Sequence, residues 1–212
     1  MPAPQVTIAF LELLLKSKLL SLEQIEELDQ HYDLASLQTP SEVAETLVTA
    51  GELTRFQADR LLEGRHRGFF IDHYKSTHIL GTGGMGWLYL AEDIETGNQV
   101  AVKMLPKRLE DDPGMITRFR LEAHAGIALN HPNIVKTYSI ERTDGVYGDV
   151  FYVVMELIRG ISLEELIVLN GPVPWPQACD FIRQAAAGLH HAHENGTIHR
   201  DVKPANLLVS SD

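Results

Sequence analysis

Glycines at positions 81, 83 and 86, within "LGTGGMGWLYLAED" (Leu80–Asp93), follow one alternating run of residues and open into another. The G-x-G-x-x-G spacing also marks dinucleotide-binding folds, but there the glycines must lead into a helix whose first amides hold the pyrophosphate. Here "WLYLAED" has the two-residue period of a strand. The glycines therefore form the turn of a β-hairpin, and the dinucleotide reading is excluded. No Gly-Lys-Ser/Thr follows, which excludes a P-loop as well. A hairpin turn without side chains can close its backbone amides over a triphosphate.

The surrounding pattern predicts strands at Tyr74–Gly81, Gly86–Asp93 and Gln99–Leu105, then a helix over Asp112–Leu129. Two further strands are predicted at Val135–Glu141 and Val150–Glu156, joined by the polar loop "RTDGVYGD". "VAVK" places Lys103 seventeen residues after Gly86, at the end of an apolar strand. A lysine there makes sense if its ammonium turns inward to phosphate oxygens and is held by a carboxylate, and Glu122 on the following helix supplies one. The competing reading is an exposed lysine beside a solvated helix face; the upstream glycine hairpin favours the first.

A long helix follows in "PQACDFIRQAAAGLHHAHENG", with Ala178, Phe181, Ile182, Ala185, Leu189 and Ala192 on one face and Gly196 as its stop. Cys179 lies in this apolar-periodic stretch and reads as a buried structural thiol. As the one cysteine of the chain, it excludes an internal disulfide and fits a reducing compartment. His190, His191 and His193 crowd the same helix without the spacing of a metal site.

The first 64 residues are helical in pattern and acidic, with 4 Lys/Arg against 11 Asp/Glu in a chain of net charge −11. Ser21 with Gln24 has capping-box spacing, and Thr39, Pro40 and Glu42 mark another helix start. Gly51 falls where that helix would stop. "LLKSKLLSLEQIEEL" aligns with "LVTAGELTRFQADRL" at an offset of 33, matching Leu14 with Leu47, Leu20 with Leu53, Ser21 with Thr54, Gln24 with Gln57 and Leu28 with Leu61. Residues 1–64 are thus a duplicated helix-turn-helix module. Its apolar stripes fit a core or, as a second reading, a groove for a protein partner. A basic, aromatic connector over residues 65–73 links it to the rest. No basic stripe exists, which argues against nucleic acid as a partner. No apolar run approaches the ~20 residues of a membrane span, and no signal peptide is evident, so this segment is expected to be cytoplasmic and without membrane contact.

Taken in order, Leu80–Leu90, "VAVK", Glu122, "HPNIV", "FYVVMELIRGISLEEL" and "HRDVKPANLL" resemble the eukaryotic-like (Hanks-type) protein kinases in their bacterial Ser/Thr form. The resemblance covers residues 74–212. It implies an α+β kinase-like fold, with a five-stranded antiparallel sheet and one inserted helix followed by the start of a helical lobe. It further implies ATP and Mg²⁺ as cofactors. Lys103 would grip the α/β-phosphates, oriented by Glu122. Gly81, Thr82, Gly83, Gly84, Met85, Gly86 and Trp87 would form the phosphate loop. Leu80, Leu88, Ala101 and Leu208 would sandwich adenine, with Met155 as gatekeeper and Glu156 to Ile158 as hinge. Asp201 would take the proton of the substrate hydroxyl, Lys203 reach the transferring phosphate, Asn206 ligate Mg²⁺, Arg200 meet a phosphorylated activation loop, and His199 pack.

The lysine in D-x-K-P-x-N accompanies Ser/Thr acceptors in similar enzymes, so a protein substrate with Ser/Thr hydroxyls is implied. In that family a second metal-binding acid, in Asp-Phe-Gly, follows the loop; the sequence stops before it, so the chain reads as a fragment whose activity alone is doubtful. The alternative from another class is a non-catalytic nucleotide-binding or scaffold protein acting through the helical module. The joint presence of Lys103, Glu122, Asp201 and Asn206 argues against it.

Overall fold

The computed structural model describes residues 3–83, 86–105, 112–145 and 148–211. They divide into two compact units, 1–100 and 101–212.

In the first unit, four helices come as two copies of one pattern: α1 (Thr7–Ser17) and α2 (Leu22–Tyr32), then α3 (Pro40–Thr49) and α4 (Arg55–Leu62). The starts of α2 and α4 carry the same capping box, Ser21 with Gln24 and Thr54 with Gln57. Each side chain satisfies one otherwise unpaired amide of the first turn. Thr39 and Glu42 do the same for α3, with Pro40 at its first position. The stops also correspond. Lys18 ends α1 in the left-handed region (φ 61°), and Gly51, 33 residues on, follows α3 at φ 80°.

Phe10, Leu14, Leu34, Val43, Leu47, Ala58 and Leu61 are completely buried between the helices. Burial of each large aliphatic side chain is worth about 1.5–3 kcal/mol, enough for this stripe to set the arrangement. The stripes therefore face inward as a core. Thr7, buried at the start of α1, donates its hydroxyl to Leu37 O at 2.6 Å and ties the first copy to the connection into the second.

The connector at 65–73 differs from the expectation. Phe69 is buried in the helical core, and Phe70–Ile71 form a short strand, β1, antiparallel to β2 (Tyr74–Gly83). The aromatic residues that marked a change of character are apolar surface packed on the helices. β2 then pairs with β3 (Gly86–Asp93). The β2–β3 register slips at Thr77 and again at Leu80, so each is the extra residue of a bulge. Bulges bend and twist a strand, and these two curve β2 as it approaches the glycine turn. Asp93 closes the next turn, accepting the Glu95 amide at 2.9 Å and the Thr96 hydroxyl at 2.7 Å.

The boundary between the units falls within β4 (Gln99–Met104). The second unit continues with helix α5 (Pro113–Ala128), which Asp112 caps through the amides of Gly114 and Met115. β5 (Thr137–Gly145) and β6 (Gly148–Glu156) form an antiparallel hairpin, with β6 between β4 and β5. Most of the segment expected to be a polar loop is strand, because the pairing runs on through Asp144 opposite Asp149. Leu105, Phe119, Ala123 and Val153 form the core beneath α5. Gly126 allows that helix its close approach to β5: a Cβ there would lie 2.5 Å from Thr137 Oγ1.

Beyond β6 come β7 (Gly160–Ser162), α6 (Leu163–Asn170) and α7 (Trp175–Glu194), a 3₁₀ turn at Pro204–Asn206, and β8 (Leu208–Ser210), which pairs with β7. On α7, Gly188 and Ala192 are buried, Phe181, Ala185 and Leu189 half-buried, and Ile182 exposed. Cys179 is exposed, contrary to the sequence reading. One residue on from Ala178 it lies about 100° around the helix, outside the inward face. Among the described residues, no helix is long and apolar enough to cross a membrane.

Candidate active site

The glycine turn is built as a hairpin, as the alternation required, with Gly83 opposite Gly86 and Thr82 opposite Trp87. Gly86 has φ 125°, a conformation that side chains resist and glycine tolerates. Gly84 and Met85 lie outside the described residues. Thr82 and Gly83 are exposed, and nothing stands within 4 Å of where a Cβ on Gly81 or Gly83 would point. Gly81 and Gly83 thus offer bare backbone.

Successive residues of β3 face opposite ways. Trp87 and Tyr89 share a face, their rings stacked at 6.4 Å, while Leu88 belongs to the other. Leu80, one of the bulged residues, is exposed. Of the residues expected around the base and phosphates, Trp87 therefore sits on a different face of its strand from Leu88.

In the second unit, Lys103 Nζ lies 3.1 Å from Glu122 Oε1, joining β4 to α5. The lysine side chain is 25% exposed and the glutamate 52%. A pair this open contributes about 0–1 kcal/mol to stability, so its significance is positional: it fixes the direction of the ammonium. Ala101 is buried on the same strand, and Met155 is half-buried against the core beneath α5. Glu156 is held from two sides, its amide donating to Lys136 O at 2.8 Å and its Oε2 accepting the Lys136 amide at 3.1 Å. The Lys136 ammonium in turn caps α5, donating to Leu129 O at 3.1 Å. Sequence reasoning missed Lys136; its partners lie 7 and 20 residues away with no local pattern to announce them.

The loop after α7 is self-contained. Asp201 Oδ2 receives both the Lys203 ammonium and the Asn206 amide nitrogen, each at 3.0 Å, and Asn206 Nδ2 also donates to Asp201 O at 2.8 Å. Oδ1 is engaged by neither group. The hydrogen bonds from Lys203 and then Asn206 hold the Asp201 carboxyl below its usual pKa. His199 Nδ1 accepts the Asp201 amide at 3.3 Å, and Arg200 takes the left-handed conformation (φ 63°) that turns the chain between them. With its nitrogen committed to Asp201, Asn206 has its amide oxygen to offer a hard cation. Leu208, which follows the turn, is half exposed on β8. Chemically the loop presents an ionised carboxylate, a neighbouring ammonium and one neutral oxygen ligand.

Residues 74–212 match the protein kinase domain family. The chain belongs to that family. It is 43% identical over 140 residues to the serine/threonine-protein kinase PknB of Mycobacterium leprae, covering 66% of this chain and 22% of the relative. It is 40% identical over 136 residues to the serine/threonine-protein kinase PrkC of Bacillus subtilis, covering 64% and 20%. Among solved structures, the kinase domain of PknI from Mycobacterium tuberculosis matches with a TM-score of 0.58 at 27% identity, over 68% of this chain and 57% of that one. The chain thus spans about a fifth of the length of the curated relatives it matches. The fold is the α+β protein-kinase-like fold expected from the sequence, and protein kinases as a family use ATP and Mg²⁺ on protein substrates. The kinase loop at Asp201–Asn206 supplies a ligand atom that suits Mg²⁺.

Proposed function

We propose that this protein transfers the γ-phosphoryl group of ATP to Ser/Thr hydroxyls of other proteins. The observation that carries the reading is the convergence of Lys203 and Asn206 on one oxygen of Asp201, which keeps that carboxylate ionised and aimed. The substrate oxygen bonds to the γ-phosphorus as the bond to the β-phosphate oxygen breaks, and the hydroxyl proton passes to Asp201 Oδ1. Lys203 lies one side chain away, an ammonium for the charge on the transferring group. Lys103, steadied by Glu122, binds the α/β-phosphates.

Backbone amides of the glycine loop would cover the phosphates, an assignment that takes in Gly81, Thr82, Gly83, Gly84, Met85, Gly86 and Trp87. Leu80, Leu88, Ala101 and Leu208 enclose adenine, with Met155 behind it and Glu156–Ile158 along its edge. Asn206 would hold Mg²⁺ through its amide oxygen; when bound, the ion neutralises phosphate charge. The lysine in the loop and the kinship with serine/threonine kinases favour Ser/Thr acceptors.

The test is incubation with Mg-ATP and a generic protein acceptor, beside Asp201→Asn. Loss of the base should lower transfer about 10³-fold. Equal transfer by both forms would remove Asp201 from this role and overturn the reading.

A further inference from the structure

The two copies of the helical unit carry the same capping box and use it differently. In the first, Ser21 and Gln24 are exposed and bond to one another: Gln24 donates its amide to Ser21 Oγ at 3.1 Å, and Ser21 donates its amide to Gln24 Oε1 at 2.8 Å. In the second, the same two bonds join Thr54 and Gln57, at 3.3 and 3.0 Å. Here each side chain also has a donor left over, and both donors reach β2. Gln57 Nε2, on a side chain 1% exposed, donates to Ser76 O at 3.0 Å. Thr54 Oγ1 donates to Thr77 O at 2.6 Å. Ser76 is itself wholly buried, its amide and hydroxyl both donating to Phe69 O.

Thr77 is the extra residue of the first β2 bulge, and its own hydroxyl crosses to Leu90 O at 3.2 Å. A bulged residue stands outside the ladder and its carbonyl must find another partner; α4 supplies it. A second line of contact runs alongside. Phe69, Phe56, Tyr89 and Trp87 form a row of rings with centroids 6.5, 6.2 and 6.4 Å apart, leading from the helical core along β3 to the glycine turn. Arg60 covers Phe56 at 5.2 Å.

We propose that Thr54 and Gln57 are positioning residues for the glycine hairpin: the capping box of α4 is also a clamp that holds the β2 bulge and so sets the curvature with which the loop meets its nucleotide. The nucleotide half of this proposal rests on the kinase reading above. The helical module is in this account a fixed part of the nucleotide-binding half rather than a separate docking domain.

The repeat provides its own control. Gln57→Met removes the cap acceptor and the clamp donor, whereas Gln24→Met removes the cap acceptor alone. Thr54→Val and Ser21→Ala stand in the same relation. Two quantities are measured on the full chain: amide hydrogen exchange in peptides spanning β2 and β3, and Mg-ATP affinity by calorimetry. The exchange measurement needs no nucleotide.

Gln57→Met and Thr54→Val should each speed exchange in β2 and weaken Mg-ATP binding by about tenfold, the effect of stranding one buried acceptor. Gln24→Met and Ser21→Ala should leave both within about twofold, their loss being an exposed helix cap. Thr54→Ser, which keeps both bonds, should restore native values. It also covers the case in which Gln57→Met prevents folding. Equal effects in the two repeats would overturn the clamp, and faster exchange with Mg-ATP affinity unchanged would overturn its role in setting the glycine loop for the nucleotide. Faster exchange in a chain that binds no Mg-ATP even unaltered would support the clamp and refute the nucleotide reading.

Discussion

The glycine hairpin takes its supports from residues 19 and 23 positions away, Gln57 and Thr54, whereas the Asp201 loop is held by side chains within five residues of the carboxylate. Local hydrogen bonds form with the loop and travel with it. Long-range ones exist only when the helical module is folded, so damage to that module should reach the hairpin and spare the Asp201 carboxylate. The Lys103–Glu122 pair is intermediate: two regular elements, 19 residues apart, meet at one exposed ion pair.

The largest expected effect bears on the local arrangement: Asp201→Asn, by the transfer assay above, removes the group on which the loop converges. Next is the intermediate case. Lys103→Met should reduce kcat/KM about 10²-fold while leaving the melting temperature within about a degree or two, because an exposed pair contributes little to stability. A large loss of stability instead would show that the pair is structural.

Leu47→Ala addresses the long-range side. It empties a fully buried site in the helical core and should cost about 2–5 kcal/mol of unfolding free energy by denaturant titration. Mg-ATP affinity should fall with it, while the acid limb of the kcat/KM profile stays in place. A shift of that limb would mean that the two halves are not independent.

The smallest effect concerns that limb itself. Asp201 is held below its usual pKa chiefly by Lys203. An acid with a depressed pKa is ionised, and able to act as base, above that pKa, and loses the role as pH falls through it. Lys203→Met should therefore move the acid limb upward toward the ordinary carboxylate range, whatever it does to the maximal rate. An unmoved limb would assign it to another group.

This division also separates what could be read in the sequence from what could not. The capping boxes at Ser21, Thr39 and Thr54, the helix stop at Gly51 and the Asp201–Asn206 loop depend on residues three to five apart, and their spacing is written in the chain. The hairpin was legible because period-two alternation on both sides of the glycines leaves one local solution. β1 is two residues long, too short to show a period, and the Thr77 and Leu80 bulges, the Lys136–Glu156 bracket and the β7–β8 pairing depend on partners 7 to 50 positions distant. Nothing near Thr77 marks it as an extra residue. Cys179 misled because periodicity gives the apolar face of a helix but not how wide a strip of it is covered.

Tyr89 lies between Phe56 and Trp87 in the row of rings, and burial raises its phenol above the usual pKa, partly offset by Arg60. A buried tyrosine that stays neutral and stacks on an indole passes its excitation to that indole. The hairpin consequently contains a built-in donor–acceptor pair, and with Trp175 replaced by Phe the light emitted by Trp87 would follow the Tyr89–Trp87 stack without any added label.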